Sequence, residues 1–198
     1  MSPVEALAVL VTMTGIWLMA RRRVLGWPCS LLASLLYLVV FARSRLYADS
    51  ALQLVFCLFI LKGWYEWHKL RLVTAEIVVQ RASGRILMRD LLIAGWCSLT
   101  LGTFLRLWTS DAAPMTDATL SVLSVVGQIW TGKRFMACWL LWILVDGAYI
   151  MLFIERGLWL SAGLYAGLIV IALYGWRSWH ISAKSPAVME KPIQRQPD

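Results

Sequence analysis

The chain has 198 residues, 60% of them hydrophobic, and a mean hydropathy of +0.69, which excludes an ordinary soluble domain. The net charge is +8, and the placement of the basic residues in loops explains it without a nucleic-acid partner. The cysteines lie within or at the edges of apolar runs and form no CxxC pair, so they predict neither a disulfide nor a metal site: Cys29, Cys57, Cys97 and Cys138.

Seven apolar runs with few charges predict membrane-spanning helices, because about 20 residues cross a hydrocarbon core of about 30 Å. The first run is followed by Arg21, Arg22 and Arg23 and has no basic residue before it, so we expect a retained span and not a cleaved signal peptide. In chain order the runs are 4–20, 25–42, 48–66, 90–108, 117–131, 136–154 and 158–178.

The loops after runs one, three and five and the C-terminal tail carry most of the basic residues. By the positive-inside rule this distribution places the N-terminus outside and the C-terminus in the cytoplasm. A basic stripe of Arg81, Arg85 and Arg89 precedes the fourth run and is expected to meet anionic headgroups. The tail, 182–198, has three prolines and mixed charge and is predicted to be disordered.

An internal repeat appears when the chain is compared with itself at an offset of 112 residues. Trp27 then meets Trp139, Tyr37 meets Tyr149, and the segment from Gly63 to His68 meets the segment from Gly175 to His180. Each copy has three runs, so one extra run is needed to keep both copies parallel. The predicted fold is all-α with 3+1+3 parallel repeats, divided into a first repeat 3–71, the basic stripe with a linking helix 81–108, a second repeat 115–181 and the tail.

Asp146 lies near the middle of the sixth run, where a carboxylate costs about 2.5–3.5 kcal/mol even on the lenient insertion scale. On a helix it shares one face with Trp139, Trp142 and Tyr149. Aromatic planes beside a buried negative charge favour a flat, cationic, ring-bearing solute. Ser34 is the repeat mate of Asp146, so the acid occurs in one copy alone. The alternative is a structural ion pair or an interhelical hydrogen bond.

Other polar and aromatic residues in the runs are further candidates for solute contact. Gln128 shares a helical face with Ser124, and Gln53 has Tyr165 as its repeat mate. For these residues and for Tyr37, helix-to-helix packing is the alternative. For the tryptophans it is an aromatic belt at the membrane interface, which we expect for those near the ends of runs: Trp27, Trp64, Trp67, Trp176 and Trp179. His68 and His180 have no ligand partner at metal-binding spacing, so neither a metal nor another cofactor is predicted.

Three stretches of the chain together form a recognisable pattern. They are Leu46-Tyr47-Ala48-Asp49-Ser50-Ala51-Leu52-Gln53, then Gly63-Trp64-Tyr65-Glu66-Trp67, and Leu123-Ser124 followed by Gln128, Lys133 and Trp139-Leu-Leu-Trp142. With these stretches the chain resembles the PnuC-type vitamin transporters over about residues 3–180.

The resemblance implies a SWEET-like bundle that assembles as a homotrimer in the bacterial inner membrane. It also implies facilitated diffusion of nicotinamide riboside, drawn inward by cytoplasmic phosphorylation. One position departs from the family: its nicotinamide riboside members carry Asn where this chain has Asp146. Thiamine, which is also a cationic vitamin and is assigned to relatives, is therefore the alternative substrate.

Two other classes of function were weighed. A membrane enzyme is disfavoured because the chain has no GxSxG, HExxH, paired carboxylates or glycine-rich phosphate loop. A sensor or scaffold that transports nothing would neutralise Asp146 with a fixed partner. The predicted substrate contacts are Asp146, Trp142, Tyr149, Gln128, Tyr37, Gln53, Trp139 and Ser124.

Overall fold

The computed structural model describes residues 3–43, 47–74, 77–109, 113–155, 157 and 159–184, and these ranges contain seven α-helices. Each helix coincides with one predicted run, although α3 and α7 continue for about two further turns and α4 begins earlier. The helices are α1 (Pro3–Ala20), α2 (Gly26–Arg43), α3 (Tyr47–Val73), α4 (Gly84–Trp108), α5 (Pro114–Gly132), α6 (Ala137–Glu155) and α7 (Trp159–Lys184).

The extra turns lie at polar ends of the helices. There the sequence is no longer apolar, so hydropathy does not predict a membrane span, but the chain remains helical. Arg85 and Arg89 of the basic stripe are therefore part of α4. The predicted tail begins inside α7, and the rest of it lies outside the described residues. By length and composition, three of the described helices, α2, α4 and α6, are long and apolar enough to cross a membrane.

Six helices form a closed ring in the order α1, α2, α3, α5, α6, α7, with α7 returning to α1. The linking helix α4 lies outside this ring and packs on α5. Exchange of the two repeats converts the α3–α5 contact into the α7–α1 contact. The ring therefore has a pseudo-two-fold axis between the repeats, and the predicted 3+1+3 arrangement is confirmed.

Local geometry repeats at the same offset of 112. Arg22 and Arg134 both adopt left-handed backbone, with φ of 59° and 60°, in the turns after α1 and α5. Tyr37 stacks on Phe41 at 5.8 Å between ring centroids, and Tyr149 stacks on Phe153 at 5.9 Å. Equivalent residues thus adopt equivalent conformations in both repeats.

The helices α1, α3, α5 and α7 finish at one end of the bundle, called the basic end here because Arg21–Arg23, Lys69, Arg71, Lys133, Arg134 and Arg177 lie near it. Two cross-repeat hydrogen bonds link their last turns. The indole N–H of Trp67 in α3 donates to the carbonyl of Gly132 at the end of α5, and that of Trp179 in α7 donates to the carbonyl of Ala20 at the end of α1.

The segment 77–83 between α3 and α4 crosses the basic end and binds the second repeat. The backbone N–H of Gln80 donates to the carbonyl of Arg134 at 2.9 Å, and the N–H of Met136 donates to the carbonyl of Gln80 at 3.0 Å. Further along, Asp90 of α4 accepts a hydrogen bond from the indole of Trp130 on α5 at 3.0 Å. The linker and α4 are thereby attached to the second repeat.

The expectation of aromatic belts was wrong for three tryptophans. Trp27, Trp67 and Trp179 are each 0% exposed and lie inside the ring. Trp64 is half-buried, and Trp176 remains exposed at the bundle surface. These tryptophans lie near the ends of the predicted runs, but hydropathy does not reveal which way such a side chain points.

Candidate functional site

Asp146 lies in the interior of the bundle, on the middle of α6. Its side chain is 5% exposed, so it does not face lipid. Among the described residues, no cation lies within 4.0 Å of its carboxylate and no donor forms a hydrogen bond to it. An unpaired carboxylate is costly to bury, and such groups in membrane helices usually mark a substrate path.

Tyrosines of three helices lie in the region of this carboxylate. Tyr165 of α7 lies 4.9 Å from Tyr149 and 5.3 Å from Phe153, measured between ring centroids. The Tyr165 phenol lies within electrostatic range of Asp146, Tyr149 and Tyr37. Three helices, α2, α6 and α7, thus bring aromatic faces and hydroxyl groups to one place. This set, the four residues Asp146, Tyr37, Tyr149 and Tyr165, is called the acid–tyrosine cluster below.

Tyr165 is a candidate from the sequence as the repeat mate of Gln53, but it was not included in the set of predicted substrate contacts. A tyrosine in an apolar helix gives little signal by itself, because it also suits a core or an interface. The available signal was the repeat, which aligns Tyr165 with Gln53 in α3. Gln53 itself is half-buried at the equivalent place in the first repeat.

Trp142 is half-buried and turned toward α5. Its indole N–H donates to the hydroxyl of Thr131 at 3.2 Å. A Cβ added to Gly127 would lie 3.0 Å from Cε2 of this ring, so the glycine permits the close contact. Trp142 therefore forms a wall between α5 and α6, one turn from Asp146.

Gln128 is a buried residue of α5 with an unused donor. Its side chain is 9% exposed, and its Nε2 has no hydrogen-bond partner within the described part of the chain. The hydroxyl of Ser124, one turn earlier, donates to the carbonyl of Leu120 at 2.7 Å. Because the proton of Ser124 already has an acceptor, Gln128 is the residue of this pair that can offer a proton to a ligand.

Trp139 is placed away from the cluster. It is 1% exposed, packs over Gly175 and meets Trp179 edge-on at 5.2 Å between ring centroids. Trp139 and Trp142 therefore pack against different helices, and the expectation that Trp139 contacts the substrate stays a prediction. Helical spacing put their Cβ atoms on one face, but the two rings turn toward different neighbouring helices.

Metal ligation finds no support in the described ranges, which contain no group of three or more His, Cys, Asp or Glu side chains arranged to hold a metal ion. His68 is exposed, and His180 lies 6.5 Å from the ring of Trp176. Both histidines lie toward the basic end, and His180 is 15 residues, about 22 Å along α7, from Tyr165 of the acid–tyrosine cluster.

Comparison with known proteins yields one family. The family model described as "Nicotinamide mononucleotide transporter" matches residues 2–181. The chain is 24% identical over 209 aligned positions to proteins named "Nicotinamide riboside transporter PnuC" from Escherichia coli (strain K12) and Shigella flexneri, with 93% of this chain and 87% of each relative covered.

A solved structure described as "Crystal structure of the Vitamin B3 transporter PnuC" has the same fold. The TM-score is 0.74 at 20% sequence identity, and the match covers 91% of this chain and 82% of that chain. The relatives are membrane transporters by name, which agrees with a multi-pass membrane protein and not with an enzyme. The chain therefore belongs to the nicotinamide mononucleotide transporter family, which includes the PnuC proteins that its motifs resemble.

Proposed function

We propose that this protein carries nicotinamide riboside across the bacterial inner membrane by facilitated diffusion and that cytoplasmic phosphorylation traps the vitamin inside. The names of its relatives suggest the substrate. The observation that carries the proposal is the buried Asp146, which is 5% exposed, has no cationic partner among the described residues and lies within electrostatic range of Tyr165.

The chemistry of nicotinamide riboside matches the acid–tyrosine cluster. Its positively charged pyridinium ring can serve as the cationic partner of the Asp146 carboxylate. The flat face of the same ring can stack on Tyr149 or Tyr165. Its carboxamide and ribose hydroxyls can accept the unused amide proton of Gln128. Among the described residues, the Asp146 carboxylate is buried without a cation and Gln128 Nε2 without an acceptor, so a vitamin that binds both would relieve a desolvation cost.

The phosphorylated form, nicotinamide mononucleotide, is a poorer candidate although the family description names it. A phosphate monoester carries about −1.5 to −2 charges near neutral pH. Within the membrane the phosphate would lie near the Asp146 carboxylate. Among the described residues Asp146 is the one buried charged group, so no buried cation is present there to offset the phosphate charge. Like charges in a medium of low dielectric constant repel strongly, so the riboside is favoured.

Thiamine is the second candidate, and Asp146 itself favours it. Thiamine has a cationic thiazolium and an aminopyrimidine with N–H donors. A carboxylate such as that of Asp146 only accepts hydrogen bonds and suits these donors, whereas the Asn of the nicotinamide riboside members both donates and accepts.

We also propose that the N-terminus faces outward, that the basic end is cytoplasmic and that the protein forms homotrimers, as the charge distribution and the family resemblance suggest.

The proposal is tested by calorimetry on the purified protein with ligands that differ in charge. Nicotinamide riboside and its uncharged 1,4-dihydro form have nearly the same shape. We expect the cation to bind at least about tenfold more tightly, a difference of about 1.4 kcal/mol. Asp146→Ala should abolish this preference, and Asp146→Asn should reduce it. Nicotinamide mononucleotide, thiamine and riboflavin complete the panel.

Ser98→Ala is the matched control, because Ser98 is a buried polar residue of α4, outside the ring. It should leave both affinities unchanged. Equal affinity for the charged and uncharged ribosides would contradict the role of Asp146. Binding of thiamine in place of the riboside would select the second candidate, and binding of no vitamin would favour the sensor or scaffold.

A further inference from the structure

Four buried tryptophans form a continuous row across the ring near the basic end. Trp27 of α2 meets Trp67 of α3 edge-on at 5.4 Å, Trp67 lies 6.1 Å from Trp179 of α7, and Trp179 meets Trp139 of α6 edge-on at 5.2 Å, all measured between ring centroids. Each of the four is 0% or 1% exposed. We call this set the tryptophan row.

The row is symmetric about the axis between the repeats. The offset of 112 converts Trp27 into Trp139 and Trp67 into Trp179. The outer members rest in glycine grooves of their own repeats, Trp27 on Gly63 and Trp139 on Gly175. The axis therefore passes between the two inner members, Trp67 and Trp179, which come from opposite repeats.

Each inner tryptophan is also bonded to the opposite repeat. The Trp67 indole donates to the Gly132 carbonyl at 3.0 Å, and the Trp179 indole donates to the Ala20 carbonyl at 3.2 Å. Gly132 and Ala20 are the last residues of α5 and α1, where carbonyls have no partner within the helix. Separation of the repeats at this end would break both bonds and expose both carbonyls.

The tryptophan row lies between the acid–tyrosine cluster and the basic end. Trp139 and Asp146 are both on α6, seven residues apart in the sequence, which places them about 10 Å apart along the helix. A solute released from Asp146 toward the basic end would have to pass the row. The four indoles are packed closely enough to leave each at most 1% exposed, so they would have to move to let it pass.

We propose that Trp67 and Trp179 form the gate at the basic end of the transport path, and that the gate opens when both indole bonds break together and the two repeats separate at that end. This inference rests on the proposed transport function. Opening is cooperative because the two bonds are related by symmetry. A single movement that separates α3 from α5 also separates α7 from α1, and it therefore breaks both indole hydrogen bonds. In the orientation proposed above, this is the cytoplasmic gate.

Cys138 provides a native reporter of the gate. It is 0% exposed, precedes Trp139 in α6, and its thiol contacts Thr131, the residue before Gly132. Cys57 is a matched reporter of general loosening, because it is also buried but lies on α3 about 15 Å along the helix from Trp67. Two single-cysteine proteins, each retaining one of these thiols, allow the two rates to be measured separately.

The experiment measures labelling by a membrane-impermeant maleimide in membrane vesicles that expose the basic end. Trp67→Phe with Trp179→Phe keeps an aromatic ring at both positions and removes both N–H donors. We expect labelling of Cys138 to become at least about tenfold faster and labelling of Cys57 to stay unchanged. Trp96→Phe, a change at an exposed tryptophan of α4, should alter neither rate.

Unchanged labelling of Cys138 in the folded double variant would overturn the gate, and so would an equal acceleration at both cysteines. If the double variant does not fold, each single variant is labelled in its place, with the same expectation and the same refutation. In the unmodified protein, hydrogen exchange of the two indole protons gives a further test. Similar rates support a shared opening, and rates that differ by more than about tenfold refute it.

Uptake of nicotinamide riboside by the same vesicles separates the two proposals. Faster labelling of Cys138 without any uptake would leave the gate in place and refute the proposed substrate. Uptake by the unmodified protein together with unchanged labelling in the variants would refute the gate alone.

Discussion

The glycines beneath the outer tryptophans offer the sharpest test of the packing. In Gly63→Ala, the new Cβ would lie 2.8 Å from Cζ2 of the Trp27 indole and closer still to Cη2 and Cζ3. Carbon atoms pack at about 3.5–4.0 Å, so the ring would have to withdraw by about 1 Å or more. It cannot do so freely, because Trp67 lies edge-on against its other side and its exposure is 0%.

The expected cost is at the upper end of the range for overpacking, about 2–3 kcal/mol. For a chain of this size about 1 kcal/mol lowers the melting temperature by about 2–4 °C, so we expect a decrease of about 5–10 °C. Gly175→Ala, with its Cβ 2.7 Å from Cε2 of Trp139, should behave in the same way. The measurement is a thermal melt of the detergent-solubilised protein followed by size-exclusion chromatography.

Gly95→Ala is the matched control, because Gly95 lies inside α4 and an added Cβ meets no atom within 4 Å. Alanine is the better helix former by about 0.5–1 kcal/mol, so this variant should melt at the same temperature or slightly higher. The packing argument fails if Gly63→Ala and Gly95→Ala melt together, because the clash with Trp27 is the feature that distinguishes them.

Three further predictions concern polar groups. Gln128→Leu should weaken vitamin binding by about tenfold in calorimetry and leave the melting temperature unchanged or higher, because the buried amide nitrogen has no partner in the described structure. Ser124→Ala should change the affinity and the melting temperature little. Gln80→Pro removes the N–H that binds the Arg134 carbonyl. The loss of about 0.5–1.5 kcal/mol should make limited trypsin digestion between α3 and α4 about two- to twelvefold faster, and Gln80→Ala should be cleaved at the original rate. Arg134→Gly should raise the melting temperature by about 2–4 °C, because glycine adopts the φ of 60° without strain. The change also removes a partly buried guanidinium, whose pKa is lowered by burial and raised by Glu66. Lys133→Gly, at a φ of −73°, should give no such gain.

The sequence by itself determined the seven helices, the repeat and the unusual position of Asp146 in the middle of an apolar run. Each of these depends on local or self-similar information. An apolar run of sufficient length must satisfy its backbone by forming a helix in lipid, and two segments with the same pattern fold in the same way. A carboxylate in the middle of such a run, as at Asp146, is conspicuous because its cost is high wherever it points.

Only the tertiary structure decided which side chains meet. Trp67 and Trp179 were expected at a membrane interface, but the rotation of α3 and α7 directs them to the axis between the repeats. Rotation also brings Tyr165 to Asp146 and turns Trp139 toward α7. Hydropathy reports how apolar a segment is and not which face its neighbours cover, so these contacts emerge only when the helices pack.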